Sequence, residues 1–292
     1  MADQRTIVEV DGHQLELSNL TKVLFSDGFT KGQVIDYYAR IGSVLLPHLA
    51  ERPLTLIRFP NGTAAPHFFE KRCPAHAPSW VTTADVPSGR KGVVRHVVCD
   101  SQATLVWLAN LAALELHPLL SRRVDLNHPT VAMFDLDPGS PADILTAGKV
   151  ALALKTLLEN AGFAVYVKTS GSKGLHVVMP LADGITYEKS RPFAQQVART
   201  MERNDPDLVV SVQTKTERAG KVLVDWNQNG FTNTTASVYS LRAKDRPLVS
   251  TPITWDELDD ALIRADTARL QFGPEEVLAR VAKWGDLWAG LN

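Results

Sequence analysis

The sequence predicts an α+β fold. Strand-length apolar runs and helix-length amphipathic stretches both occur, but they alternate without the strict strand–helix–strand repeat of a parallel sheet. No internal repeat or low-complexity linker breaks the 292 residues, and 45% hydrophobic with 22% charged residues is the balance of a chain that can bury a core. No apolar stretch reaches the roughly 18 residues of a membrane span, and Met1-Ala2-Asp3-Gln4-Arg5 has no signal-peptide pattern. The two cysteines, Cys73 and Cys99, make no disulfide framework, which predicts a reducing cytoplasm.

From the N-terminus, residues 7–17 read as a hairpin turning at Asp11-Gly12. Thr30 is the predicted N-cap of a helix running toward His48, because Val34, Ile35, Tyr38, Ile41 and Leu45 recur at helical spacing. Strands follow at 54–59, 68–71 and 93–98, and then a helix over 101–116. The run Val131-Ala132-Met133-Phe134 is a buried strand ending in Asp135-Leu136-Asp137, followed by a helix over 141–160. Strands at 163–167 and 177–179 flank a glycine turn, a helix over 187–203 leads into a strand at 220–225, and short helices close the chain near 255–265 and 274–288.

Side chains at i and i+2 of a strand share a face, so Asp135 and Asp137 stand side by side. Two such carboxylates repel unless a cation lies between them, which makes the pair a candidate two-metal platform for phosphoryl transfer. Taken alone, Asp-x-Asp is also what a solvated turn carries. Thr169-Ser170-Gly171-Ser172-Lys173-Gly174-Leu175-His176 adds what a triphosphate needs: glycines that let backbone amides approach an anion, two hydroxyls, a lysine and a histidine. Its spacing is not that of a helical P-loop, and in isolation it also reads as an ordinary Gly/Ser/Lys turn. In Val222-Leu223-Val224-Asp225, a third Asp ends another apolar strand, where it either completes a metal site or caps a turn.

The net charge of −1 excludes a broadly basic nucleic-acid coat, so any DNA contact must be local. Candidate patches are Lys22 with Lys31, Arg58 with Lys71 and Arg72, the Arg90/Lys91/Arg95 turn, Arg122/Arg123, and Lys215/Arg218/Lys221. Each is otherwise a solvated surface charge. Cys73-Pro74-Ala75-His76 supplies two close ligands, and no further Cys or His completes a usual zinc spacing.

Taken in order, the Asp135-Leu136-Asp137 strand, the segment from Ser170 to His176, Val224-Asp225-Trp226-Asn227-Gln228-Asn229 and Tyr239-Ser240-Leu241-Arg242 resemble the archaeo-eukaryotic primase superfamily. Within it they are most similar to the polymerase domains of the bacterial ligase D family, the end-joining polymerases. The similarity continues through Ser18-Asn19-Leu20-Thr21-Lys22, Arg58-Phe59-Pro60-Asn61-Gly62, Phe68-Phe69-Glu70-Lys71 and Thr254-Trp255-Asp256-Glu257, and covers nearly the whole chain. It implies one primase-polymerase catalytic domain over 1–292, with two β-sheets, flanking helices and the active site between the sheets. Residues 1–50 would include a 5′-phosphate-binding region.

The implied activity is template-dependent nucleotidyl transfer, extending primers at short gaps or broken ends in double-strand break repair by non-homologous end joining. A stand-alone gap-filling polymerase would use the same residues. A noncatalytic DNA-end-binding module would keep the fold without the chemistry, and the intact Asp135, Asp137, Asp225 and His176 speak for the enzyme. By resemblance the three aspartates hold two Mn²⁺ or Mg²⁺ ions, and Ser170, Ser172, Lys173, Gly174, His176, Gln228 and Arg242 bind an NTP or dNTP. His117 matches a histidine near the incoming sugar, where a contact to the 2′-hydroxyl favours ribonucleotides; without the family it reads as a helix-end histidine. Lys22 and Lys31 match a pair that grips the downstream 5′-phosphate of gapped or 3′-overhanging DNA.

Arg58, Phe68, Phe69, Lys71, Arg218 and Lys221 are the implied template contacts, with one phenylalanine expected inside and the other exposed, since neighbours on a strand alternate. Implied partners are DNA, nucleoside triphosphates, an end-binding ring protein and a DNA ligase, in the nucleoid of a bacterial cytoplasm. Three features depart from the family: Ile57 stands where a second basic residue is common, the stretch from His117 to Asp135 is short, and Ser88-Gly89-Arg90-Lys91-Gly92 differs from a loop associated with end synapsis.

Overall fold

The computed structural model describes residues 5–89 and 92–291; Arg90 and Lys91 of the predicted basic turn lie outside them. β1 (Arg5–Val10) and β2 (His13–Ser18) form the hairpin, with Asp11 and Gly12 both at positive φ. α1 (Lys31–Leu49) starts at Thr30, whose side chain caps Gln33 N while the Gln33 side chain returns to Thr30 N. β3 (Pro53–Arg58), β4 (Phe68–Glu70), β5 (Thr83–Pro87), β6 (Val93–Val98), α2 (Gln102–Asn110) and β7 (Ala113–Pro118) complete the first half. β3 is the hub of this sheet, pairing antiparallel with β4, β6 and β7, and β5 pairs with β6.

A small hairpin, β8 (Ser121–Arg122) and β9 (Asp125–Pro129), leads to β10 (Val131–Pro138). Then come α3 (Ile144–Asn160), β11 (Tyr166–Thr169), β12 (Leu175–Pro180), α4 (Tyr187–Asn204), β13 (Val209–Val210) and β14 (Val222–Asp225). β15 (Leu241–Ala243) pairs with β16 (Pro247–Val249), and β17 (Pro252–Ile253), α5 (Trp255–Ile263) and α6 (Pro274–Trp284) finish the chain. The second sheet has the order β13-β14-β10-β12-β11-β17, antiparallel except for β13 with β14. Among the described residues no helix is long and apolar enough to cross a membrane.

The pleat of the second sheet separates two cores. Ala132, Phe134 and Leu136 of β10, with Val177 and Met179 of β12, lie with the buried faces of α3, α4 and α5. Met133 and Val178, on the opposite face, belong to the core shared with α1, α2 and the first sheet. Each such buried Leu, Val or Phe contributes about 1.5–3 kcal/mol. The two halves are also stitched by polar bonds: Tyr37 and Tyr38 of α1 donate to the carbonyls of Tyr239 and Leu114, and Leu116 N donates to Ser240 Oγ.

The structure corrects several sequence expectations. The helix expected over 101–116 is α2 followed by β7: the chain reverses at Ala112, which takes positive φ, and the all-apolar run carried no period that could separate helix from strand. His117 therefore stands on a strand, not at a helix end. β11 begins at Tyr166 rather than 163, and α3 begins at Ile144, capped by Asp143. The short strands β5, β8, β9, β13, β15, β16 and β17 had no signal long enough to read.

β14 pairs with β10 only from Asp135 onward. Beyond it the Asn229 side chain takes the place of a strand, accepting from Met133 N at 2.8 Å and donating to Met133 O at 2.7 Å. Asn229→Ala leaves both buried backbone groups unpaired and should cost about 2–4 kcal/mol in denaturant unfolding; a loss within 0.5 kcal/mol, roughly that of a surface change, would mean the clamp is not needed.

Candidate active site

In the register of the second sheet, Asp225 lies opposite Asp135, Asp135 opposite His176, and His176 opposite Lys168. Directly opposed residues share a face, so the four form a row across β14, β10, β12 and β11. Asp137, two residues beyond Asp135, joins that face, which turns away from the helical layer.

The carboxylates crowd one another. Burial, and then the charges of Asp225 and Asp137, push Asp135 up to about 7. Asp137 is met by Lys173 Nζ at 2.9 Å and Arg218 Nη1 at 3.5 Å, and Asp135 by His176 Nε2 at 3.5 Å. Asp225 accepts from Asn227 N at 2.9 Å and from Gln228 Nε2 at 3.3 Å. Among the described residues no three Asp, Glu, His or Cys side chains enclose a cation as they stand. The donor chemistry nevertheless fits a hard divalent ion, since the crowded ligands are carboxylate oxygens and a cation relieves their repulsion.

The turn between β11 and β12 packs against this face without room for side chains. Gly171 has φ +65, and a Cβ there would lie 2.6 Å from Arg242 Cγ; a Cβ on Gly174 would overlap the carbonyl oxygen of Leu136. The amides of Ser172 and Gly174, which the sequence reading offered to an anion, both donate to Ser170 Oγ at 3.2 Å. Exposed Lys173 also donates to Pro138 O at 3.0 Å, so it bridges the turn to the end of β10.

Behind the row lies a buried charge network. Lys168 donates to Ala236 O at 3.0 Å and to Ser250 Oγ. Burial, and then Arg242, drive its pKa well below the usual lysine value. His176 is likewise pushed down by burial and by Lys168, and its Nδ1 has no hydrogen-bond partner among the described residues. From the first sheet, Glu115 Oε2 reaches His117 Nε2 at 2.9 Å and Arg242 Nε at 3.0 Å, while Arg242 Nη1 donates to Ser170 O at 2.8 Å. Sequence reading missed Glu115, Lys168 and Asn229. The signal for the first two was a charge inside an apolar run, which burial makes expensive unless it is paired.

The expected DNA-side residues fall into separate places. Lys31 N donates to Lys22 O at 2.8 Å, which sets the two lysines on one turn; Lys22 is exposed, with Nζ bonded to Asn61, whereas Lys31 is buried and donates to Ser18 O at 2.7 Å. Arg58 pairs with Glu70 at 2.9 Å and lies 5.2 Å from the centre of the Phe68 ring. Phe68 and Phe69 are 42% and 65% exposed, so the expectation of one inside and one outside fails: three-residue β4 sits at the edge of its sheet. Lys71 is exposed beside them. Arg218, grouped with the template cations, instead lies against Asp137, and Lys221 Nζ donates to Pro206 O at 2.6 Å.

The family model described as LigD, primase-polymerase domain, matches residues 30–288. The chain is 41% identical over 288 residues to the multifunctional non-homologous end joining DNA repair protein LigD of Mycobacterium tuberculosis, a match covering 96% of this chain and 37% of that protein. It is 33% identical over 274 residues to the bifunctional non-homologous end joining protein LigD of Bacillus subtilis, covering 93% and 43%. The chain thus spans less than half the length of these relatives. A solved structure of the polymerase domain of Mycobacterium tuberculosis ligase D in complex with DNA superposes with a TM-score of 0.87 at 40% identity, covering 95% of this chain and 97% of that one.

Burial raises the Glu115 carboxyl, but His117 and Arg242 outweigh it and hold it at about 2, against an ordinary 4.5. A depressed carboxylate stabilises the fold above its unfolded value and loses that contribution as pH falls through its folded value. Glu115→Gln should therefore lower the melting temperature most at neutral pH, with the gap narrowing from pH 4.5 toward 2; a gap constant with pH would show that the charge contributes nothing.

Proposed function

Because the chain belongs to the LigD primase-polymerase domain family and is a DNA-directed nucleotidyltransferase, we propose that residues 1–292 act as one catalytic domain extending primers at short gaps or broken DNA ends, within double-strand break repair by non-homologous end joining. The observation that carries this reading is the row of Asp225, Asp135 and His176 in register, with Asp137 beside it and the glycine turn against it. Asp135, Asp137 and Asp225 would hold two Mn²⁺ or Mg²⁺ ions, which when bound neutralise the crowded carboxylates, lower the pKa of the primer hydroxyl and offset charge on the α-phosphate.

The chain's own groups do the rest. Lys173, paired with Asp137, and Arg242, bonded to the turn at Ser170 O, bind the polyphosphate, with Ser170, Ser172 and Gly174 shaping the turn that receives it. His176, kept neutral by burial and neighbouring cations, donates a hydrogen bond there without adding charge. Gln228 orients Asp225. His117 would meet the sugar of the incoming nucleotide, the basis for a ribonucleotide preference. Lys22 and Lys31 lie on one turn, suited to a 5′-phosphate of the downstream strand. Exposed Phe68 and Phe69 offer π-faces that accept any template base, and Arg58, Lys71 and Lys221 supply backbone contacts. A DNA ligase and an end-binding ring protein are the expected partners in the joined reaction.

Primer extension on a short gap tests this reading. Asp137→Ala should lower nucleotide addition by at least a thousandfold while DNA affinity stays within a few-fold; retained extension refutes the metal assignment. Replacing both Lys22 and Lys31 with Ala should erase the advantage of a downstream 5′-phosphate, and a preference that survives the double substitution rules out that pocket.

A further inference from the structure

Glu115 has no part in the reaction as described above, yet it touches two residues that do. Its Oε1 accepts from Ala243 N at 3.0 Å, and its Oε2 lies 2.9 Å from His117 Nε2 and 3.0 Å from Arg242 Nε. Two hydrogen bonds and the Arg242 ion pair on one buried carboxyl keep it ionised. Burial holds the His117 ring neutral against the pull of Glu115. An ionised carboxylate can only accept, so the single ring proton of His117 sits on Nε2. Nδ1 is then a lone pair pointing away from Glu115, and it makes no hydrogen bond with any described residue.

We infer that Glu115 is the positioning residue for sugar selection: by fixing His117 as the Nε2–H tautomer, it makes Nδ1 an acceptor that reads a hydrogen-bond donor on the 2′ carbon of the incoming nucleotide. This rests on the polymerase reading and adds the chemical rule that the 2′ group must donate. A ribose hydroxyl donates. A 2′-deoxy sugar offers nothing, and a 2′-fluoro group presents electron density to a lone pair. Since Oε2 also pairs with Arg242, which donates to Ser170 O, the same carboxylate joins the sugar reader to the phosphate-side turn.

Two measurements test this. ¹⁵N NMR of histidine-labelled protein, with His117 assigned by its loss in His117→Ala, should show the neutral Nε2–H pattern, giving way to mixed tautomers in Glu115→Ala. Single-nucleotide addition on gapped DNA should then be compared for NTP, 2′-amino, 2′-deoxy and 2′-fluoro substrates. The unsubstituted protein should use hydroxyl and amino substrates roughly tenfold or more better than fluoro, and Glu115→Ala should bring hydroxyl and fluoro within about threefold of each other. The inference is overturned by an Nδ1–H pattern, by equal use of fluoro and hydroxyl substrates, or by an unmoved ratio in a folded Glu115→Ala protein. If that variant does not fold, the spectrum and substrate series of the unsubstituted protein still decide. Failure to add any of the four nucleotides would instead count against the polymerase reading, while the tautomer remains readable.

Discussion

Strand β10 lies between β14 and β12, and its pleat sends alternate residues into two different media. Ala132, Phe134 and Leu136 enter an apolar core; Asp135 and Asp137 take the other face. A slip of one residue would bury both carboxylates against α3 and α4 and expose the apolar set, so the hydrophobic pattern that stabilises the sheet also fixes where the charges go. The neighbouring strands obey the same register, which is why Asp225, His176 and Lys168 arrive on the face of Asp135 without any loop having to place them.

The electrostatic arrangement follows from that crowding. Carboxylates on one row repel, and the protein answers with cations: Lys173 from the glycine turn and Arg218 from the loop before β14 meet Asp137, and the charge of Arg242 acts on Asp135. Glu115 does the reverse on the opposite wall, a single buried anion between His117 and Arg242. Asp137 and Glu115 thus each have a cationic neighbour, as a buried or half-buried charge requires.

Much of this was legible in the sequence. The Asp-x-Asp strand, the glycine turn and Asp225 each announce themselves as polar punctuation at the end of an apolar run. Long periodic helices such as α1, α3 and α4 are readable for the same reason. What escaped was local or collective. The α2–β7 boundary hides in a run too apolar to show a period, and the fall of Arg218 beside Asp137 depends on how a long loop returns. Both phenylalanines are exposed on an edge strand of three residues, a fact about neighbours that alternation cannot reveal. Glu115 and Lys168 gain their meaning only from partners remote in the chain.

The side-chain clamp of Asn229 on Met133 has one more implication. Asp225 sits four residues before Asn229, and the turn between them supplies both donors that orient its carboxylate. That stretch works as a ruler: its length, more than its composition, ties the carboxylate of one strand to the backbone of the next. Insertions that exposed surface loops absorb would here put the two ends of the ruler out of step, so this short turn has little tolerance for a change of length.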